Sequence, residues 1–154
     1  MIRTYLSFTI SGENYAVNVS KVLEVLQNEH ITPVPNSPAF IRGILNFRGE
    51  VVPVFDTRIR FNLTERNSSN YNIIVLDVSG EKSVLRLGAI VDKVDNVISL
   101  HDDEIKPVPV MSSDYNTDFL QGIYKQGKNF TMVLNVEKVF TGTELNSIRE
   151  SNIN

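Results

Sequence analysis

The 154-residue chain contains no cysteine and no tryptophan. The lack of cysteine excludes disulfide bonds, thiolate metal sites and a cysteine nucleophile. Its two histidines, His30 and His101, have no neighbour at the spacing of a metal site or an acid–base pair. Surface loops are therefore the better interpretation of both.

Long apolar runs and concentrated charge are also missing. The longest apolar stretches, at 51–55 and 73–76, are far shorter than the roughly 20 residues of a membrane span. The start, Met1-Ile2-Arg3, has no signal-peptide pattern. The net charge of −3 is spread along the chain without a basic patch. We therefore expect a cytoplasmic protein that does not insert into a membrane, does not bind nucleic acid and has proteins as partners.

Catalytic motifs are not found either. The sequence has no nucleophile elbow, no phosphate-binding glycine loop and no dinucleotide fingerprint. The acidic residues 102–104 lack the alternating ligands and central glycine of a calcium loop. These patterns favour a protein that is not an enzyme and uses no cofactor and no metal. Two alternatives stay open: a small β-barrel that binds a ligand or nucleic acid in a groove, and an enzyme of unrecognised type.

The periodicity that is present is that of short β-strands. Leu6, Phe8 and Ile10 alternate with polar residues, and alternation resumes after the turn at 11–14. Turns that contain glycine follow at short intervals, which indicates an all-β fold. Helical spacing is limited to one possible turn at 22–26 and a short C-terminal helix from Thr143 to about 149.

An internal repeat organises the chain. Four segments of the first half recur in the same order in the second half: 11–13 as 79–81, 19–26 as 91–98, 31–35 as 105–109, and 40–44 as 119–123. The repeat predicts two similar five-stranded β-barrels related by a pseudo-two-fold axis, and it allows the exchange of a terminal strand between them. A single sandwich of nine or ten strands is the alternative.

The predicted organisation is one domain over residues 1–154. Its parts are a first barrel at about 5–64, a linker at 65–72, a second barrel at about 73–140, and a C-terminal helix and tail at 141–154. The predicted core positions are Phe8, Val17, Ile41, Leu45, Phe47, Val75, Leu85, Ile123 and Val133.

The segment 40–61 predicts a β-hairpin. Residues 44–47 and 51–55 form two strands joined at 48–50, where Gly49 supplies the positive φ of a tight turn. Pro53 has no N–H group, so its strand is expected at a sheet edge or a bulge.

The two faces of this hairpin differ in character. Period-2 geometry puts Ile41, Leu45 and Phe47 on one face, and Arg42, Asn46 and Arg48 on the other. Where the first repeat has Glu24, Arg42 and Asn46, the second has Asn96, Gln121 and Lys125. This difference favours a protein-binding surface on the first repeat. The alternative is a hairpin whose arginines only keep it soluble.

Residues 46–58, Asn-Phe-Arg-Gly-Glu-Val-Val-Pro-Val-Phe-Asp-Thr-Arg, resemble the signature of the CheW coupling proteins of bacterial chemotaxis. Further segments resemble the family in order and spacing: 5–10, 15–17, 22–25, 31–43, 88–92, 119–123 and 134–140. The resemblance implies two SH3-like barrels and an adaptor that is a monomer alone. It also implies two partners, the regulatory domain of a CheA-type histidine kinase and the cytoplasmic tip of methyl-accepting chemotaxis receptors, in membrane-associated arrays.

The resemblance also implies a set of functional residues. The expected receptor-binding residues are Val22, Glu24, Arg42, Asn46 and Arg48, of which Asn46 is included for its outward face. The expected turn and structural residues are Gly43, Gly49, Pro53 and Asp56. The chain departs from the family at Arg42, where lysine is common, and at Asn135, where aspartate is usual. A coupling protein of a non-flagellar pathway stays open as an alternative.

Overall fold

A computed structural model of the protein describes residues 1–63, 70–79, 84–109, 117–140 and Glu144. Their secondary structure is mostly β. The strands are β1 (Ile2–Ile10), β2 (Glu13–Asn18), β3 (Val22–Gln27), β4 (Ile41–Phe47), β5 (Glu50–Asp56), β6 (Asn72–Asp77), β7 (Arg86–Val91), β8 (Lys93–His101), β9 (Ile105–Lys106), β10 (Leu120–Gln126) and β11 (Asn129–Leu134). One α-helical turn, α1 (Thr57–Arg60), and 3₁₀ turns at Val19–Lys21, Asp102–Glu104 and Val136–Lys138 complete the elements of these residues.

The predicted all-β class is confirmed, and the strands form two sheets. The six-stranded sheet has the order β8-β1-β2-β11-β10-β9, and the five-stranded sheet has the order β3-β6-β7-β5-β4. Antiparallel hairpins dominate, with one parallel pair in each sheet, β2 with β11 and β5 with β7. The closer description as SH3-like barrels stays a prediction.

Each sheet draws its strands from both halves of the chain. The hairpin β1–β2 joins β8 to β11 in one sheet, while the hairpin β6–β7 joins β3 to β5 in the other. Two strands per half are exchanged, where the sequence analysis allowed for one. The boundaries 5–64 and 73–140 therefore mark the sequence repeat, whereas the hydrogen-bonded sheets cross them.

The repeat is visible in the irregularities of the strands. β4 is bulged between Ile41 and Gly43, and β10 between Leu120 and Gly122. A Cβ atom on Gly43 would lie 2.1 Å from the carbonyl oxygen of Thr32, and one on Gly122 would lie 2.6 Å from that of Lys106. Both glycines thus admit a neighbouring backbone at the same point of the repeat.

The core consists of three clusters. The largest lies between the two sheets, with side chains from both, and each smaller cluster belongs to one sheet. Seven predicted core residues are buried: Phe8, Val17, Leu45, Phe47, Val75, Leu85 and Val133. Ile41 and Ile123 are only partly buried. Ile123 follows Gly122 and corresponds to Ile44, which has the outward-facing parity of its strand.

The helical turn predicted at 22–26 is wrong. These residues belong to β3, which pairs antiparallel with β6. Val22, Val25 and Leu26 have helical spacing, but the long-range pairing with β6 determines their conformation. The predicted C-terminal helix lies outside the described residues, apart from Glu144, which is helical.

A buried ion pair connects the two halves. Arg58, at α1, donates from Nε to Oδ1 of Asp92 at 2.9 Å, and a second donation comes from Nη2. The other carboxylate oxygen of Asp92 accepts from the backbone N–H of Ser11, at the β1–β2 turn, at 2.8 Å. Asp92 therefore holds α1 of the first half and the exchanged hairpin at the same point.

We expect Asp92→Asn to lower the free energy of unfolding by about 3 kcal/mol, because it removes the carboxylate charge that faces a largely buried guanidinium. The control is Asp102→Asn, which disrupts the exposed Arg3–Asp102 pair and should cost less than about 1 kcal/mol. Chemical denaturation measures both. Equal losses in the two variants would contradict the role of Asp92.

We expect Gly43→Ala to cost about 3 kcal/mol or more. The φ of Gly43 is 151°, which L residues rarely adopt, and the added methyl group would meet the backbone of Thr32. Gly127→Ala is the control, because Gly127 has a φ of 62° and open space around its Cβ position. That change should cost only about 1 kcal/mol. Thermal unfolding of the two variants tests the difference, and a smaller loss at Gly43 would refute it.

Candidate protein-binding surface

The tip of the β4–β5 hairpin has two residues in the left-handed region. Arg48 has a φ of 52° and Gly49 a φ of 83°, as in a type I′ turn. Asn46 supports the turn, since its side-chain oxygen accepts from the Gly49 N–H at 2.9 Å. The sequence predicted the positive φ at Gly49 but missed the one at Arg48. The turn fixes the direction in which the arginine leaves the hairpin.

Arg48 lies opposite Glu24. The distance from Arg48 Nη2 to Glu24 Oε2 is 3.8 Å, and the two side chains are 67% and 43% exposed. The Arg48 guanidinium carbon also lies 4.7 Å from the centroid of the Phe47 ring. A pair so long and exposed adds little to stability, so both charges stay accessible to a partner.

The contact between Glu24 and Arg48 also reports on the shape of the sheet. Glu24 belongs to β3 and Arg48 follows β4, which are the two outer strands of the five-stranded sheet. Their side chains can meet only if the sheet curves strongly. The curvature thus brings residues that are 24 positions apart into one surface.

Arg42 is held at the other end of β4. Its Nη1 donates to Asp56 Oδ2 at 3.1 Å, and Asp56 is buried. The other oxygen of Asp56 accepts from the Arg58 N–H at 3.0 Å and so caps α1. Asp56 therefore caps the helical turn, and it orients an arginine whose side chain is half exposed.

The five predicted receptor-binding residues do not form one cluster. Glu24, Asn46 and Arg48 lie together at the hairpin tip, while Arg42 lies six positions along β4, roughly 20 Å away from Arg48 at the rise of an extended strand. Val22 is partly buried and packs against the core between the sheets. Glu24 and Arg48 are therefore the two predicted receptor-binding residues that are joined by an ion pair.

The expectation that Pro53 lies in an edge strand or at a bulge is wrong. Its strand, β5, lies between β4 and β7. Pro53 faces Ile44 across the hairpin, three pairs away from the Phe47–Glu50 pair that closes the turn, where hydrogen-bonded and non-hydrogen-bonded pairs begin to alternate. By that alternation Pro53 is at a pair without hydrogen bonds to β4. Pairing with β7 begins only at Val54, so the missing N–H has no required partner on that side either.

Sequence reasoning missed three features of the five-stranded sheet. Val51, the register partner of Asn46, and Val25 of β3 expose apolar side chains. Glu50 accepts from Arg86 Nη1, and this hydrogen bond raises the pKa of Arg86 above its usual value. Exposed valines were not expected because alternation predicts polar residues there. Arg86 lies 36 positions away from Glu50, so spacing gave no signal.

Among the described residues, no group of three or more histidine, aspartate or glutamate side chains could hold a metal ion. Within the same residues, no helix is long and apolar enough to cross a membrane.

Comparisons with known proteins agree on one family. The model of the CheW-like domain matches residues 4–144. The chemotaxis protein CheW of Klebsiella aerogenes is 29% identical over 141 residues, which cover 92% of this chain and 83% of the relative. A probable chemotaxis protein CheW of Rhizobium etli is 30% identical over 142 residues, with 92% and 90% covered.

A solved structure agrees with the sequence relatives. The crystal structure of the scaffolding protein TtCheW from Thermoanaerobacter tengcongensis superposes with a TM-score of 0.81 at 30% identity, and it covers 94% of this chain and 96% of that one. The family model, the relatives and the solved structure span nearly the same residues as the two sheets. This chain belongs to the CheW-like domain family.

Proposed function

We propose that this chain is a non-enzymatic adaptor that couples chemoreceptors to a CheA-type histidine kinase in chemotaxis signalling. The family match over residues 4–144 supports the adaptor role. The observation that carries the receptor side is the exposed Arg48–Glu24 pair at the tip of a rigid hairpin. We place the protein in the cytoplasm, in receptor arrays at the membrane.

The hairpin surface has the composition of a protein-binding site. Arg48 and Glu24 offer one charge of each sign, and Val51, the register partner of Asn46, offers apolar contact beside them. Arginine is enriched at protein interfaces, where its planar guanidinium forms oriented bonds with carboxylates. The proposed partner here is the cytoplasmic tip of a methyl-accepting chemotaxis receptor.

A weak internal ion pair suits this role. At 3.8 Å and with both side chains exposed, the pair contributes roughly 0–1 kcal/mol, so its replacement by bonds to a receptor costs little. The pair also keeps the two side chains near each other before binding. Each link can be modest, because an array multiplies weak links through effective concentration.

The kinase is proposed to bind a different surface of the same rigid body. The two sheets share one core, so a receptor on the hairpin and a kinase elsewhere are held at a fixed relative position. An adaptor needs no more than this to link the two. The partner on the kinase is its regulatory domain.

We expect Arg48→Glu to weaken receptor binding by at least about tenfold, because the new carboxylate lies next to Glu24 and repels an acidic partner group. Its midpoint of thermal unfolding should stay within a few degrees of the parent protein, because the pair is exposed. Co-sedimentation with receptor signalling fragments measures the binding.

Lys128→Glu is the matched control. Lys128 lies in the turn between β10 and β11, which corresponds to the turn of Arg48, and Asn96 takes the place of Glu24 there. This variant should bind the receptor nearly as well as the parent. Equal weakening by both substitutions, or unfolding caused by Arg48→Glu, would show that the hairpin is not the receptor surface.

We expect immobilised kinase regulatory domain to retain both the parent protein and its Arg48→Glu variant. The reason is that the proposed kinase surface does not include the hairpin tip. A pull-down with purified proteins measures this. Failure to retain the parent protein would contradict the adaptor role, while selective loss of the variant would place the kinase on the hairpin.

A further inference from the structure

The strands β8-β1-β2-β11-β10 follow the same order as β3-β6-β7-β5-β4, and β9 corresponds to the single bridge between Thr32 and Ile44, so most positions in one sheet have a counterpart in the other. Tyr5 pairs with Asn18 in the six-stranded sheet, as Ile73 pairs with Ile90 in the five-stranded sheet. By this register Arg3 corresponds to Tyr71 and Asn18 to Ile90. Differences between such counterparts show which features belong to one sheet only.

In the five-stranded sheet, Tyr71 fills the space before β6. It packs, together with Ile31 and Ile90, against the cluster of that sheet. Its hydroxyl donates to the carbonyl oxygen of Glu29 at 2.6 Å. A tyrosine ring with a satisfied hydroxyl therefore closes this end of the sheet.

In the six-stranded sheet Arg3 holds this register position, and the space beside its side chain is open. A depression of about 410 Å³ is lined by Arg3, Asn18, Asp102, Ile105 and Gln121. Four of these residues correspond by register to Tyr71, Ile90, Ile31 and Arg42 of the other sheet. Polar groups thus line a space beside the position that a tyrosine holds in the counterpart.

A second observation concerns a buried hydroxyl group of β1, whose residue is not among those that line the depression. Tyr5, the register partner of Asn18, is fully buried, and its hydroxyl has no hydrogen-bond partner in the described part of the chain. It belongs to the cluster against which Ile105 packs. Buried hydroxyl groups are normally paired, so the cluster against which Ile105 packs contains an unsatisfied polar group.

We propose that this depression binds a tyrosine side chain presented by a partner protein, beside the register position that Arg3 holds here and Tyr71 holds in the other sheet. The ring packs against Ile105 and stacks on the Arg3 guanidinium, which Asp102 holds at 3.0 Å from its Oδ1. A carboxylate accepts several hydrogen bonds, so Asp102 receives the phenol while it holds Arg3. The amides of Asn18 and Gln121 bond the backbone on either side of the tyrosine.

This site is distinct from the proposed receptor surface and does not depend on the proposed function. It lies on the six-stranded sheet, whereas Glu24 and Arg48 belong to the five-stranded sheet.

The test is an NMR titration of the ¹⁵N-labelled full chain with the acetylated, amidated tripeptide Gly-Tyr-Gly. We expect saturable shifts centred on the backbone amides of Arg3, Asn18, Asp102, Ile105 and Gln121, with a Kd of about 1–10 mM. Gly-Phe-Gly, which lacks the hydroxyl, should bind several-fold more weakly, and Gly-Leu-Gly should give no saturable shifts. Shifts centred elsewhere, or equal responses to the three peptides, would overturn the proposal.

Two variants sharpen the test. Arg3→Tyr places the chain's own tyrosine where Tyr71 lies in the counterpart, so it should abolish peptide binding, while Ile2→Tyr, one position earlier on the opposite face, should leave it unchanged. Asp102→Asn should reduce the preference for tyrosine over phenylalanine. Unaltered binding by Arg3→Tyr, or an unaltered preference in Asp102→Asn, would refute the site; the spectra report at once whether each variant is folded.

Discussion

The exchange of the first hairpin of each half is the constraint on which the rest of the structure depends. β1–β2 completes a sheet whose other strands come from the second half, and β6–β7 does the same for the first. The core between the sheets continues this mixing through rings of both halves. Tyr15 stacks on Phe61 with centroids 6.2 Å apart, and Phe61 stacks on Phe119 at 4.9 Å. Neither half retains a complete sheet or core without the other, so the chain behaves as one body.

On this shared frame the two sheets differ mainly in what they expose. Gly43 and Gly122 admit a neighbouring backbone at equivalent points, which shows how closely the frames agree. The outer residues diverge, with a charged hairpin tip on one sheet and a polar depression on the other. A repeated frame with different surfaces gives one small domain two unlike faces, held at a fixed distance by the common core.

The sequence predicted strands, faces and the repeat because these depend on local alternation and on self-similarity. The outward positions of Arg42, Asn46 and Arg48 followed from period-2 geometry alone. Alternation does not specify which strand lies beside which, so the exchanged hairpins and the interior place of β5 were not predicted. The same limit applies to Asp56 as partner of Arg42 and to Asp92 as partner of Arg58, since the fold alone brings these side chains together.

The exchanged hairpins also determine the order in which the protein is completed during synthesis. The central strand of the five-stranded sheet, β7, is the last of its five strands in the chain. This sheet therefore stays incomplete until Val91, where β7 ends, has left the ribosome. The β1–β2 hairpin waits longer, because its parallel neighbour β11 ends at Leu134. At roughly 5–20 residues per second, the free edge of β2 waits about 6–23 s for this neighbour, a period in which chaperones protect unpaired strand edges.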